Sequence, residues 1–269
     1  MNQAPPLLEM QGICKRFGAT QALRGVTLSA NAGEALALIG ENGAGKSTLM
    51  KVLSGAYRAD AGTMRLSGSD YSPHGPHDAR TAGVAMIYQE LTLAPDLSVE
   101  DNIMLGQEQH RWGWLRRGEQ QRKVRQALEL LGRPDLQPTT IVGRLSIAAQ
   151  QLVEIARALV LDAKVIVFDE PTSSLTQRDV QRLFDVIRRL KSSGLAVVYI
   201  SHFLEEIREV AERYTVLRDG QTVGSGSLAG ATEAQIVSLM VGRDVADLFP
   251  QVPHQPGEAI LSIQGLTGP

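Results

Sequence analysis

Apolar residues interspersed with polar ones over residues 7–13 and 21–28 read as strands. A turn at Gly33 leads into an apolar run, 34–39, which reads as a third strand. A Gly-rich loop follows it, and then a helix over 46–53. Residues 63–67 read as a strand, with a loop rich in Gly, Pro and His after it; a further strand, 84–88, ends at Gln89. From about 91 to 145 the pattern is helical and more polar, and Pro134 and Pro138 break it late. Leu152, Ile155, Ala156 and Leu159 give helical spacing within 148–160, and Val180, Leu183, Phe184, Ile187 and Leu190 form a second helical stripe. Between these two helices lies 165–168, short and wholly apolar, the signature of a buried strand; 195–200 is another. Asp219-Gly220, between Val216-Leu217 and Thr222-Val223, is a hairpin turn signal, and a last helix is predicted over 232–241. The alternation of strands and helices predicts an α/β core with largely parallel strands, a β-rich edge from the first strands and a helical insert over about 91–145.

The loop after the third strand is Gly40-Glu41-Asn42-Gly43-Ala44-Gly45-Lys46-Ser47-Thr48. A strand before it and a helix after it supply the context that a phosphate-binding P-loop requires. Its glycines let successive backbone N–H groups turn inward toward phosphate oxygens, and the helix N-terminus adds partial positive charge behind them. Lys46 can reach the β- and γ-phosphates, and the Ser47 hydroxyl can bind the magnesium that bridges them. The chain is therefore expected to bind a nucleoside triphosphate.

Composition narrows the setting. The 269 residues suit one large domain, or one domain with a smaller lobe, and a net charge of −2 gives no global pull toward nucleic acid or anionic lipid. One basic cluster stands out: Arg111, Arg116, Arg117, Arg122, Lys123 and Arg125, with Trp112 and Trp114 among them. Such a run can stack on single-stranded bases, but is more often the solvated face of a surface helix. The single cysteine, Cys14, cannot form an intrachain disulfide, which fits a reducing compartment. No secretory signal is expected at the N-terminus. No apolar stretch approaches the roughly 18 residues that span a bilayer, so any membrane crossing would fall to another subunit.

Other candidate residues sit at strand ends. Asp169 and Glu170 close the apolar run 165–168; in P-loop enzymes the first acid orders magnesium, and the second can orient or deprotonate the attacking water. Gln89 could contact magnesium or the lytic water through its amide oxygen, or be an ordinary surface hydrogen-bonder. His202, after 195–200, could donate to the γ-phosphate or be a plain strand-end histidine. Phe17, before Gly18, could stack on an adenine ring or pack in the core.

The order of these pieces resembles the nucleotide-binding subunit of ABC transporters over nearly the whole chain: an aromatic before the P-loop, then Gln89, then Leu145-Ser146-Ile147-Ala148-Ala149-Gln150-Gln151, then Asp169-Glu170, then His202. The resemblance implies the ABC ATPase fold, a RecA-like P-loop core with an antiparallel β edge and an α-helical insert. It also implies that Ser146, in the position of the Leu-Ser-Gly-Gly-Gln signature, acts in trans on nucleotide held by a partner cassette. Ile147, Ala148 and Ala149 depart from the two glycines and the glutamine, and Thr176 in Ser173-Ser174-Leu175-Thr176 stands where an Asp is usual. Side chains at the glycine positions impede close backbone approach to a phosphate.

A degenerate signature beside an intact P-loop looks like the first cassette of the double-cassette ATPases of bacterial monosaccharide importers, of ribose, galactose, xylose or arabinose type. Ile260-Leu261-Ser262-Ile263-Gln264-Gly265-Leu266 repeats the pattern of Leu7-Leu8-Glu9-Met10-Gln11-Gly12-Ile13. The organisation expected is thus a cassette over 1–249, a linker over 250–257, and the start of a second cassette over 258–269. The resemblance implies hydrolysis of ATP with magnesium at the cytoplasmic face of the plasma membrane, coupled to sugar import. The partners implied are a second cassette, membrane-spanning permease subunits and, indirectly, a periplasmic sugar-binding protein. A non-transport ABC ATPase acting on nucleic acid or ribosomes is the alternative. The stretch between Gln89 and Ser146 has no room for the long coiled coil of DNA-repair members, and 250–257 is short and Pro-rich rather than long and charged. No Asn-Lys-x-Asp guanine-reading motif occurs, which argues against GTPase chemistry.

Overall fold

The computed structural model describes residues 5–107, 110–111, 114–115, 117–242 and 265. Two long strands, β1 (Leu8–Phe17) and β2 (Thr20–Ala30), come first; β3 (Ala35–Ile39) then runs into the Gly-rich loop and α1 (Lys46–Leu53). β4 (Ala61–Leu66) and β5 (Ser69–Asp70) precede α2 (Pro76–Ala82) and β6 (Val84–Ile87). The middle of the chain holds α3 (Val99–Met104), a short hairpin of β7 (His110–Arg111) and β8 (Trp114–Leu115), and α4 (Arg117–Leu130). Strands and helices then alternate through α5 (Ile147–Val160), β9 (Val165–Asp169), α6 (Gln177–Ser192), β10 (Ala196–Ile200) and α7 (Leu204–Val210), and β11 (Arg213–Arg218), β12 (Gln221–Ser227) and α8 (Glu233–Val241) complete the fold.

The main sheet has the order β12-β11-β3-β10-β9-β6. Its first five strands from the β6 edge are mutually parallel, and β12 pairs antiparallel with β11. Period-2 alternation decides what each face of this sheet packs against. Ala35, Ala37, Ile39, Ile166, Phe168, Val197 and Tyr199 enter one core with the helices α3 to α6. Leu36, Leu38, Val165, Val167, Val198 and Ile200 enter the other, with α1 and the first strands. Every residue of β3 and β10 is buried, which is why these segments carry almost no polar residue. The second sheet, β2-β1-β4-β5, is antiparallel and forms the expected β edge.

Two expectations need correction. Less of 91–145 is helical than the pattern suggests: α3 and α4 are separated by the β7–β8 hairpin, and 131–141 is irregular. Side chains shape the non-helical part. Buried Asn102 accepts from Ala94 N (2.8 Å) and donates to the carbonyl oxygens of Ala94, Leu97 and Ser98, while Glu154 of α5 accepts from Thr92 N and Oγ1 at 2.6 and 2.8 Å. The Gly/Pro/His-rich stretch after β5 contains α2 rather than loop alone, with Pro76 at its first turn and Gly83 in the left-handed conformation at its end.

On α4, Val124, Ala127 and Leu128 are buried, whereas Arg117, Arg122, Lys123 and Arg125 face solvent. That part of the basic cluster is the exposed side of an amphipathic helix. Trp112, Arg116 and the side chains of Arg111 and Trp114 lie outside the described residues, as do 243–249, the linker 250–257, and all of 258–269 except Gly265. Among the described residues, no helix is long and apolar enough to cross a membrane.

Candidate nucleotide-binding site

Four parallel strands deliver the candidate residues to one edge of the sheet. The Gly-rich loop follows β3, Gln89 lies just beyond β6, Asp169 and Glu170 stand at the end of β9, and His202 follows β10. All four are carboxyl ends of parallel strands, where a crevice forms in open α/β sheets. A cavity of about 420 Å³ is lined by Ala22, Asn42, Gly43, Gly45, Lys46, Ser47, Thr48, Gln89, Asp169 and Glu170. A second, of about 510 Å³, is lined by Gly40, Glu41, Asn42, Glu170, His202 and Met240. Glu170 and Asn42 face both.

The loop's path depends on close approach. A Cβ at Gly40 would stand 2.4 Å from the Leu217 carbonyl oxygen, and one at Gly45 would meet Leu23 Cδ2 at 2.9 Å. The β11–β12 turn is tied in as well, since Gly220 N donates to Ala44 O (3.1 Å) and Arg24 N donates to Gly220 O (2.7 Å). Lys46, only 8% exposed, donates to the carbonyl oxygens of Gly40 (2.6 Å) and Glu41 (3.1 Å). Burial lowers its pKa, while the charges of Glu170 and Asp169 act the other way.

Burial raises the pKa of Asp169, and the Glu170 charge beside it adds to the shift against Lys46 and Lys51. Glu170 has φ +47°, an uncommon conformation for a side chain of its type, and its N–H donates to Ile200 O at 3.0 Å. Its Oε1 lies 3.3 Å from His202 Nδ1. Gln89 Nε2 donates to Ser173 Oγ (3.3 Å), which directs the amide nitrogen away and leaves the amide oxygen as its remaining acceptor. The Ser47 hydroxyl, the Gln89 amide oxygen and the Asp169 carboxylate form an all-oxygen donor set around one cavity. Such a hard, sparse set fits magnesium, which keeps waters and takes phosphate oxygens as further ligands.

Two sequence candidates stand apart. Phe17 is 42% exposed at the end of β1, edge-on to Tyr57 with centroids 5.1 Å apart, and lines neither cavity. Its exposure rules out the core-packing alternative. Ser146 caps α5, accepting from Ala149 N at 3.3 Å, and lines a different cavity, between α5 and α6, with Gly132, Arg133, Asp179 and Arg189. Ile147 beside it is 48% exposed. Thr176, in place of the usual Asp, caps α6 by accepting from Asp179 N at 3.4 Å, so this departure preserves the local helix start. Sequence reasoning missed Met240 and Glu206, and named Ser173 only within the segment 173–176 without its contact to Gln89; Glu206 accepts hydrogen bonds from three hydroxyls behind the site.

A parallel sheet with a glycine-rich phosphate loop after β3 and paired acids at the end of β9 defines a P-loop nucleotide-binding core. A family profile described as ABC transporter matches residues 23–173. The chain belongs to the ABC transporter family. Ribose import ATP-binding protein RbsA 1 of Rubrobacter xylanophilus is 48% identical over 262 residues, covering 97% of this chain and 52% of that protein. Ribose import ATP-binding protein RbsA 2 of Burkholderia pseudomallei is 49% identical over 268 residues, with the same 97% and 52% coverage. The chain thus spans about half the length of the curated relatives it matches. Among solved structures, a nucleotide-free ATP-binding cassette from an ABC transporter superposes with TM-score 0.75 at 27% identity, covering 88% of this chain and 96% of that one. The ADP conformation of another ATP-binding cassette gives TM-score 0.77 at 27% identity, covering 91% and 98%.

Proposed function

We propose that the chain is the first nucleotide-binding cassette of an ATPase that energises import of a monosaccharide, with ribose the leading candidate. The observation that carries this reading is the convergence of Lys46, Gln89, Asp169, Glu170 and His202 at the carboxyl ends of four parallel strands. The similarity to ribose import ATP-binding proteins over 97% of the chain supports the transport role. In this reading Gly40 to Thr48 cradle the phosphates of ATP and Phe17 stacks on its base. Lys46 leaves its two loop carbonyls to meet the β- and γ-phosphates. Glu170 orients and deprotonates the water that attacks the γ-phosphorus in line, and His202 and Gln89 fix the γ-phosphate and that water. Ser47, Gln89 and Asp169 would hold magnesium, which offsets the phosphate charge when bound.

The separate cavity at Ser146 supports a head-to-tail arrangement in which this serine serves nucleotide on a second cassette, which in this reading belongs to the same, longer polypeptide. Membrane-spanning permease subunits would carry the sugar, fed by a periplasmic binding protein, with the cassette at the cytoplasmic face of the membrane. The similarity to ribose import ATP-binding proteins favours transport over the nucleic-acid alternative. The test is uptake of labelled ribose by cells expressing the full protein with its permease, wild type against Glu170→Gln. Loss of uptake with ATP binding retained is expected; equal uptake overturns the reading.

A further inference from the structure

Behind the site, one carboxylate oxygen collects three hydroxyl groups, one from β10 and two from the loops that follow β9 and β10. Thr172 Oγ1, Tyr199 Oη and Ser201 Oγ donate to Glu206 Oε2 at 3.0, 2.9 and 2.9 Å. Thr172 follows Glu170 by two residues, and Ser201 immediately precedes His202. Ser201 Oγ also accepts from Phe203 N at 3.0 Å, so His202 is held on both sides. Tyr199, Ser201 and Thr172 are 0%, 2% and 8% exposed, and without Glu206 their hydroxyls would lose a shared, half-buried acceptor. Burial, with the neighbouring Glu206 charge, holds the Tyr199 phenol well above its ordinary pKa, so it remains a donor throughout the working pH range. Glu206 itself comes from the first turn of α7, a separate element, and lines neither nucleotide cavity.

We propose that Glu206 is a positioning residue for hydrolysis: by gathering Thr172, Tyr199 and Ser201 on one oxygen it locks the loop carrying Glu170 to the loop carrying His202 and sets their 3.3 Å approach. This rests on the ATPase reading above. Glu206 touches no reacting group, so its removal acts on the chemical step and not on nucleotide affinity. A misplacement of about 1 Å at the reacting groups can cost about a hundredfold in rate.

The experiment compares steady-state ATP hydrolysis by the full protein, wild type against Glu206→Ala, Glu206→Gln and Ser201→Ala. The alanine variant is expected to lose about tenfold to a hundredfold in kcat with KM for ATP unchanged. The glutamine variant, which keeps an acceptor oxygen, is expected to recover most of that loss. Ser201→Ala removes one hydroxyl, keeps the scaffold if Glu206→Ala fails to fold, and is expected to give a smaller fall in kcat, again at constant KM. An unchanged kcat in Ser201→Ala and in a folded Glu206→Ala overturns the proposal. So does a joint loss of kcat, KM and melting temperature that glutamine does not rescue. A crystal structure of Ser201→Ala supplies a readout independent of turnover. Separation of Glu170 and His202 beyond hydrogen-bond reach supports the lock, and a retained contact counts against it. Absence of hydrolysis by the wild type would strike the ATPase reading alone and leave this structural readout standing.

Discussion

Lys46 Nζ donates to the carbonyl oxygen of Gly40 at 2.6 Å, so the ammonium closes the same loop that it is proposed to open for phosphate. Nucleotide must compete with that internal contact and with the one to Glu41. Lys46→Met removes both the clip and the phosphate ligand. With ATP at about a hundred times its Kd, a bound state gains about 2.7 kcal/mol, or about 5–10 °C in melting temperature for a domain of this size. The wild type is expected to show a shift of that order by scanning calorimetry and Lys46→Met almost none. An equal shift in both would remove Lys46 from the phosphate site.

Asp169 makes a pH prediction whose sign is the reverse of that for a salt-bridged carboxylate. Its pKa in the folded chain lies above the ordinary 3.8, chiefly through burial and then through Glu170. The folded state therefore holds this proton more tightly than the unfolded state does. The stabilising contribution is complete below pH 3.8 and is lost as pH rises through the raised value, so at neutral pH the ionised group costs stability. Asp169→Asn is expected to melt higher than wild type at pH 7 without nucleotide, with the difference shrinking toward pH 4. The same variant should lose the extra stabilisation that magnesium adds to ATP. A lower melting temperature at neutral pH would contradict this account.

The loop glycines differ in what they tolerate. Gly40→Ala drives a Cβ to 2.4 Å from the Leu217 backbone oxygen, an atom fixed in β11. Overpacking of this kind costs about 1–3 kcal/mol and displaces the loop, so ATP affinity should fall by at least about tenfold. Gly43→Ala meets no atom within 4 Å, although its φ of +86° still disfavours a side chain. Its effect is expected to be smaller in an equilibrium binding titration; the opposite ranking would show that the close approach of Gly40 to β11 does not limit the site.

Restoring the family signature should trade stability for turnover. Ile147 and Ala148 open α5, and a glycine at each costs about 1 kcal/mol in a helix. The triple change Ile147→Gly, Ala148→Gly and Ala149→Gln, made in the full protein, should lower the melting temperature by a few degrees and raise ATP hydrolysis. Hydrolysis no faster than wild type would mean that these side chains do not restrain the site facing Ser146.

The chemistry is legible in the sequence where local spacing carries it. The P-loop, the apolar strand before Asp169-Glu170 and the Asp219-Gly220 turn are all short and contiguous, and each needs only its own residues to declare itself. β1 runs on past the apolar pattern of 7–13, because Gly12 has φ +62° and the pairing register shifts after Met10, which breaks the pattern before Phe17. α7 gives little signal since it has seven residues and Phe203 supplies no side-chain cap. The helical expectation over 91–145 fails where Asn102 and Glu154 bind backbone at a distance. Glu206 lies out of reach for the same reason, because its three donors come from β10 and from loops that meet only in the folded chain.

Glu170 occupies a left-handed backbone conformation at φ +47°, one that disfavours any residue but glycine by about 1 kcal/mol or more. Thermodynamics alone would discard a glutamate there; a variant library screened only for heat resistance should replace it early. A strained backbone that carries an acid rather than a glycine thus marks the functional end of β9 by its cost alone, independently of the loop that follows β3.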